Sequence, residues 1–297
     1  MKTSILSSSL FAFLMVLPSA FADTTSTLAP NAPTTEANPI SADGASVTTS
    51  SSNWYGTALD SLYVNYFANF HGSPLNDPSF FKTPNTNSAV GKQGRNMYFD
   101  STLTTAYKIT QDIGVGPEIN FDLEPVLGRG ATLKDSGIKA YNRHQIQSGG
   151  FNVSSNLILQ APTDYSRQQG IDFSVKTTPN VRYDVPASRF TVGSFTEAKA
   201  YLGANTGKKS FKLYAGPYVN YQLSPSFALT TVYEMEANHF TGKPKLDFTS
   251  VNTDLQPGVR WNITRNVLVN PYVNLYTGNK ITAANSSIGA IISATVL

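Results

Sequence analysis

Carboxylates two residues apart recur along this chain, and basic residues answer them on other stretches. Glu118, Asn120, Asp122 and Glu124 alternate with apolar residues, as do Glu234, Glu236 and Asn238. Lys176 and Arg182, Lys199, Lys212 and Arg260 hold the same polar phase elsewhere, and Asp100, Lys108, Asp172, Asp184, Glu197 and Asp254 complete the set. Tyr214, Tyr218, Tyr272 and Tyr276 share that phase. On one face of a sheet, ionised groups of both signs have two uses. They line a water-filled passage, where opposed charges set a transverse field on small polar solutes or ions, or they pair across the interior and plug it. The tyrosines fit either arrangement, as a stacking track for sugars or as filler.

Other chemistry has little to work with. A hydrolase needs a histidine beside a nucleophile or a carboxylate pair. The chain offers three histidines, His71, His144 and His239. His239, with Glu236 three residues earlier, is the best candidate, and a loop-edge histidine is the plainer reading. No metal-ligand spacing stands out and no cofactor is implied. Gly128-Arg129-Gly130 lacks the strand-to-helix setting of a phosphate loop and reads as a turn. The sequons Asn152-Val153-Ser154 and Asn262-Ile263-Thr264 fall within or beside strands. A formal charge of +3 gives no argument for nucleic acid, and the absence of Cys leans away from a disulfide-stapled fold.

The elements that must position these groups are strands. From Phe211 to Leu223 the odd positions read Phe, Leu, Ala, Pro, Val, Tyr, Leu, and polar residues or tyrosine fill most of the even ones. That period of two is an extended strand with unlike faces. Similar stretches are expected at 56–70, 96–109, 113–125, 151–160, 170–184, 190–202, 210–222, 227–240, 248–262, 267–278 and 286–297. The connections 108–112, 222–226 and 262–266 read as tight hairpin turns on one side. If those turns share a side, the strands from Ile113 and Phe151 both run outward, so a returning strand must occupy about 132–147. Its pattern (Ile138, Ala140, Tyr141, His144) is the weakest in the chain. Counting it gives about twelve strands, an even number. Pro117, Pro179, Pro217, Pro257 and Pro271 sit on the apolar face, where local bulges are expected because each removes a ladder donor.

Size decides which face points inward. A barrel of about twelve strands with an apolar interior would hold a void that side chains cannot fill, so the polar face must point inward. Aromatic spacing agrees. Met97 to Tyr107, Phe173 to Tyr183 and Phe211 to Tyr221 each span roughly ten residues, about 24 Å when tilted, the height of a lipid-facing band. Phe227 and Trp261 would join the girdle on the turn side.

The N-terminus is Met1-Lys2-Thr3, an apolar run from Ile5 to Leu17, then Pro18-Ser19-Ala20-Phe21-Ala22. This pattern predicts a secretory signal peptide over 1–22. Residues 23–53 are Ser, Thr, Ala and Pro with few large apolar residues, which predicts a disordered periplasmic segment before a barrel over 54–297. Over Gly56 to Leu297 the alternating strands, short turns and aromatic bands resemble the Gram-negative outer-membrane β-barrel family. The resemblance implies an all-β fold, an antiparallel transmembrane β-barrel in the cell outer membrane. It also implies surrounding lipid, insertion by the barrel-assembly machinery and a porin-like passive channel, with the external loop 71–95 narrowing its mouth. A plugged structural or adhesive barrel is the alternative, and a membrane-embedded hydrolase a third. Members of that family usually end in an aromatic residue. Here the apolar set Ile288, Ala290, Ile292, Ala294 and Val296 is followed by Leu297.

Overall fold

The computed structural model describes residues 61–77, 97–125, 130–205, 207–277 and 280–295. The signal peptide, the segment 23–53, positions 78–95 of the expected external loop and Val296 with Leu297 lie outside the described residues. Fourteen strand segments run in chain order: β1 (Leu62–Pro74), β2 (Tyr98–Lys108), β3 (Ile113–Glu124), β4 (Gly130–Leu133), β5 (Ser136–Ser148), β6 (Phe151–Ala161), β7 (Phe173–Thr177), β8 (Asn180–Asp184), β9 (Phe190–Leu202), β10 (Lys209–Ser224), β11 (Phe227–Phe240), β12 (Phe248–Asn262), β13 (Val267–Tyr276) and β14 (Ser286–Thr295). Among the described residues one short helix, α1 (Asp164–Gln168), follows β6.

All pairings are antiparallel, and β14 returns to β1 through Asn65↔Thr295 and its neighbours, so the sheet closes. The segments β4 and β5 lie end to end against β3, with Phe121↔Leu133 above and Glu118↔Gly137 below. Likewise β7 and β8 together fill the place between β6 and β9. The result is a closed antiparallel barrel of twelve staves. The returning strand that parity demanded is β5.

Short connections gather at one end of the barrel. At 108–113 and 262–267 the same turn forms twice: Ile109 N–H donates to Ile113 O (2.8 Å), and Ile263 N–H to Val267 O (2.9 Å). In each, the threonine hydroxyl, of Thr110 or Thr264, accepts a backbone N–H from two residues on. The third expected turn is tighter, because Ser224 pairs directly with Phe227 across Pro225-Ser226. Gly149 and Gly150, both at positive φ, join β5 to β6 at this same end.

Only one of the five prolines breaks its strand. At Thr178-Pro179 the chain steps out of line between β7 and β8. The expected bulges at Pro117, Pro217, Pro257 and Pro271 are not formed, since the register on either side of each is unshifted. Each proline keeps its partner in one neighbour (Ile138, Ser194, Thr231 and Ala290) and pairing to the other neighbour lapses locally. A missing N–H costs one ladder contact, and the remaining pairs hold the register.

The faces are inside out relative to a soluble barrel. Leu213 is 41% and Val219 45% exposed, whereas Glu118 is 2%, Asp254 1% and Arg260 8% exposed. A continuous apolar outer wall is what a bilayer requires of a barrel. Aromatic pairs band the short-turn end: Phe151 with Tyr183 (4.3 Å between centroids), Phe190 with Tyr221 (4.8 Å) and Phe227 stacked on Trp261 (5.6 Å). Phe70–Phe99 and Phe211–Phe248 stand toward the other end.

Inside, aromatic rings lie across glycines of the neighbouring strand. Tyr141 covers Gly114, Tyr218 covers Gly193 and Tyr272 covers Gly289, leaving no room for a Cβ at these positions. The Tyr272 hydroxyl is also fixed by Asn69 Oδ1 at 2.7 Å, so the ring cannot step aside without losing that bond. Gly289→Val is therefore expected to destabilise the barrel by about 1–3 kcal/mol, read as a lower urea midpoint of the folded form in detergent.

Candidate functional site: the lumen

The polar face encloses two adjoining cavities. One, of about 280 Å³, is lined by Asn65, Phe67, Asn69, Asp100, Thr102, Glu118, Lys139, Lys176, Glu197, Lys212, Tyr214 and Glu234, among others. The second, of about 470 Å³, shares Asp100, Thr102, Lys176, Glu197 and Lys212 and adds Lys134, Asp135, Tyr165, Ser166, Lys199 and Tyr201. The shared lining makes them successive chambers of one lumen.

Charge is segregated around the wall. From β4 through β10 the inward side chains include Lys134, Lys139, Arg143, Lys176, Arg182, Lys199, Lys209 and Lys212, with Asp135, Asp184 and Glu197 among them. From β11 round to β3 the acids dominate: Glu234, Glu236, Asp254, Asp100, Glu118, Asp122 and Glu124, with Arg260 among them. Register sharpens both arcs. Lys176 lies directly opposite Lys199, and Lys199 directly opposite Lys212, on β7, β9 and β10. Glu234 lies directly opposite Asp254 on β11 and β12. Like charges set opposite one another in a ladder destabilise it, so each run must be offset from elsewhere.

Ion pairs supply the offset. Glu118 meets Lys139 at 3.3 Å and Lys176 at 3.4 Å. Lys212 lies between Glu197 at 3.1 Å and Glu236 at 3.4 Å, and Lys209 approaches Glu236 at 4.0 Å. Lys134 joins Asp100 at 2.7 Å to Asp122 at 3.3 Å. Tyr214 hydrogen-bonds Glu234, and Gln256 Nε2 donates to Asp254 Oδ2 at 3.5 Å.

At the long-loop end α1 folds against the lumen wall and is held there by Asp135. That carboxylate accepts Thr163 N–H (2.8 Å), Thr163 Oγ1–H (2.9 Å) and Ser166 Oγ–H (2.9 Å), and Lys199 stands 4.0 Å away. Among the described residues, this helix is the element that narrows the wider chamber. Removing the clasp removes charge-assisted bonds worth about 1.5–3 kcal/mol each. Asp135→Ala is expected to speed trypsin cleavage after Arg167 in the folded barrel about tenfold or more.

Side chains crowd the short-turn end. Arg143 lies over the rings of Tyr63 (4.5 Å) and Tyr141 (5.1 Å), which themselves meet at 5.6 Å. On the other side Tyr218 is 4% exposed, beside Arg182, Asp184 and Arg260. Arg182 is bound to Asp184 through Nε (3.1 Å) and Nη2 (2.9 Å).

Of the residues singled out from sequence, Asp100, Glu118, Lys176, Glu197, Lys212, Tyr214 and Glu234 line the first chamber, and Lys199 the second. Asp122, Glu124, Asp254 and Tyr272 are buried, and Glu236 and Tyr276 half-buried. Arg182, Asp184, Tyr218 and Arg260 belong to the short-turn end, and Lys108 closes β2 at that same end. Asp172 is exposed, just before β7 in the connection that carries α1. Lys134, Asp135, Lys139 and Arg143 were not singled out. The signal was present, because Ile138 and Ala140 facing outward place Lys139, Tyr141 and Arg143 inward.

The hydrolase candidate takes a different form from the one expected. His239 Nδ1 meets Ser210 Oγ at 2.6 Å, and its Nε2 meets the Pro244 carbonyl at 2.9 Å. Glu236 bonds Asn238 and the two lysines instead. Among the described residues no group of three or more His, Cys, Asp or Glu is placed to hold a metal.

No family model matches the chain, and no curated protein is similar to it in sequence. Solved structures are similar in fold. An outer-membrane channel from Pseudomonas putida F1 superposes with a TM-score of 0.50 at 11% identity, over 80% of this chain and 96% of that one. The KdgM porin, solved in complex with disordered oligogalacturonate, gives 0.42 at 9% identity over 79% and 98%. Salmonella typhi OmpF, in complex with daunomycin, gives 0.36 at 8% over 79% and 97%. The likeness to the first of these is one of fold, a closed antiparallel β-barrel.

Proposed function

We propose that this protein is a passive channel for small hydrophilic solutes or ions in the outer membrane. The observation that carries the reading is the segregation of charge across the chambers, with Lys139, Lys176, Lys199 and Lys212 on one arc and Asp100, Glu118, Glu234 and Asp254 on the other. A transverse field of this kind orients dipolar solutes and grades ions by sign. In this reading lipid contacts the apolar outer wall, the assembly machinery inserts the barrel, residues 1–22 direct export and 23–53 form a periplasmic lead. No cofactor, metal or nucleic acid takes part, and the chain is not an enzyme.

Planar-bilayer conductance of the purified, folded protein tests this. Discrete current steps are expected, and joint replacement of Glu234 and Glu236 by Lys is expected to move the reversal potential in a salt gradient toward anion preference. A second reading, a sealed barrel with a structural or adhesive role, is favoured by the crowding of the short-turn end. Folded protein that passes no current would select it.

A further inference from the structure

Arg260 is a guanidinium held in the lumen without an acid of its own. It is 8% exposed, and among the described residues neither Nε nor Nη2 has a hydrogen-bond partner. Its cross-strand partner on β11 is Ala228, and the groups that act on it electrostatically are Arg182, Tyr218 and Asp184. The one carboxylate of that set is already engaged. Asp184 holds Arg182 through two N–H bonds and accepts the Thr191 hydroxyl at 2.7 Å. Around Arg260 the described residues therefore set two guanidinium groups against one carboxylate.

Burying a cation beside a like charge is unfavourable, and in closed cores such groups are paired or replaced. Here the unused N–H groups have the planar fork geometry that matches the two oxygens of a carboxylate or phosphate. They also lie toward the short-turn end, beside the buried Tyr218. We propose that Arg260, with Arg182 and Tyr218, forms an oxyanion subsite at the short-turn exit, which binds the carboxylate or phosphate group of a permeating solute in passage. The lysine row above it, Lys176–Lys199–Lys212, draws anions into the chamber, and Arg260 reads them at the exit. This rests on the channel reading and deepens it.

The test uses the full mature chain, reconstituted. Wild type is expected to prefer anions in a potassium chloride gradient, and millimolar inorganic phosphate is expected to reduce its chloride current. Arg260→Gln is expected to bring the reversal potential close to zero or across it and to abolish the phosphate effect. Arg260→Lys keeps the charge and loses the fork, so it is expected to retain anion preference and lose phosphate sensitivity. An unchanged reversal potential and phosphate response in Arg260→Gln would overturn the subsite while leaving the channel standing. If wild type passes no current, the channel reading falls, and binding decides the subsite alone. Phosphate at fixed ionic strength must then raise the unfolding temperature of wild type in detergent and leave that of Arg260→Gln unmoved; equal shifts would end the proposal. Acetate in place of phosphate separates a carboxylate reader, which both probes satisfy, from a phosphate reader.

Discussion

Lys212→Met is expected to lower the stability of the folded barrel by about 3 kcal/mol and to turn its ion preference toward cations. Among the described residues, Lys212 is the one cation that touches both Glu197, at 3.1 Å, and Glu236, at 3.4 Å. Its side chain is 22% exposed and theirs 20% and 14%, so water screens the trio only in part. Without it, Glu197 relies on the neighbouring Lys176 and Lys199, and Glu236 on Lys209 at 4.0 Å. The figure stays at the low end for a broken buried pair because these neighbours remain. Urea titration of the folded form gives the stability, and reversal potentials give the selectivity. A double-mutant cycle with Glu197→Gln isolates the pair: the double variant is expected to be less destabilised than the two single changes added together.

The barrel could be read from sequence because closure of a wide sheet forces unlike faces, and alternation records them residue by residue. The string from Phe211 to Leu223 became β10 with Leu213 and Val219 outside and Tyr218 and Asn220 buried, as its parity requires. Even the weakest strand was found by counting, since turns at one end fix the direction of every neighbour. The bulges were misjudged for a physical reason. A proline removes one donor, but a strand paired on both sides has a second ladder, and Pro117, Pro217, Pro257 and Pro271 each keep a partner there.

The lumen was readable one stave at a time and no further. Parity says that Lys176, Lys199 and Lys212 point inward; it does not say that they fall in one row, which depends on the register of β7, β9 and β10. The same holds for Glu234 against Asp254. Asp135 lies in the gap between β4 and β5, where alternation stops, so no periodic signal marked it as the anchor of α1. Ser210 escaped for a similar reason, beside a register shift at the start of β10.

Leu213→Lys and Phe67→Lys make the same chemical change on opposite faces, and their costs are expected to differ sharply. Leu213 stands on the outer wall between Phe211 and Ala215, 41% exposed, where in the proposed membrane setting a lysine would meet hydrocarbon. The cost there is about 2–4 kcal/mol near mid-depth. Phe67 points inward and lines the first chamber beside Asn69, Asp100 and Glu118. A lysine at that position gains water and nearby carboxylates in exchange for lost packing, so a change within about 1 kcal/mol is expected. In a soluble barrel the order would be reversed, because an inward Phe would be core and an exposed Leu dispensable. Urea midpoints of the two variants, refolded into vesicles of one lipid composition, separate the cases. A Phe67 variant less stable than the Leu213 variant would mean that the apolar wall does not face lipid, and the transverse field would then have no bilayer-spanning passage to act in.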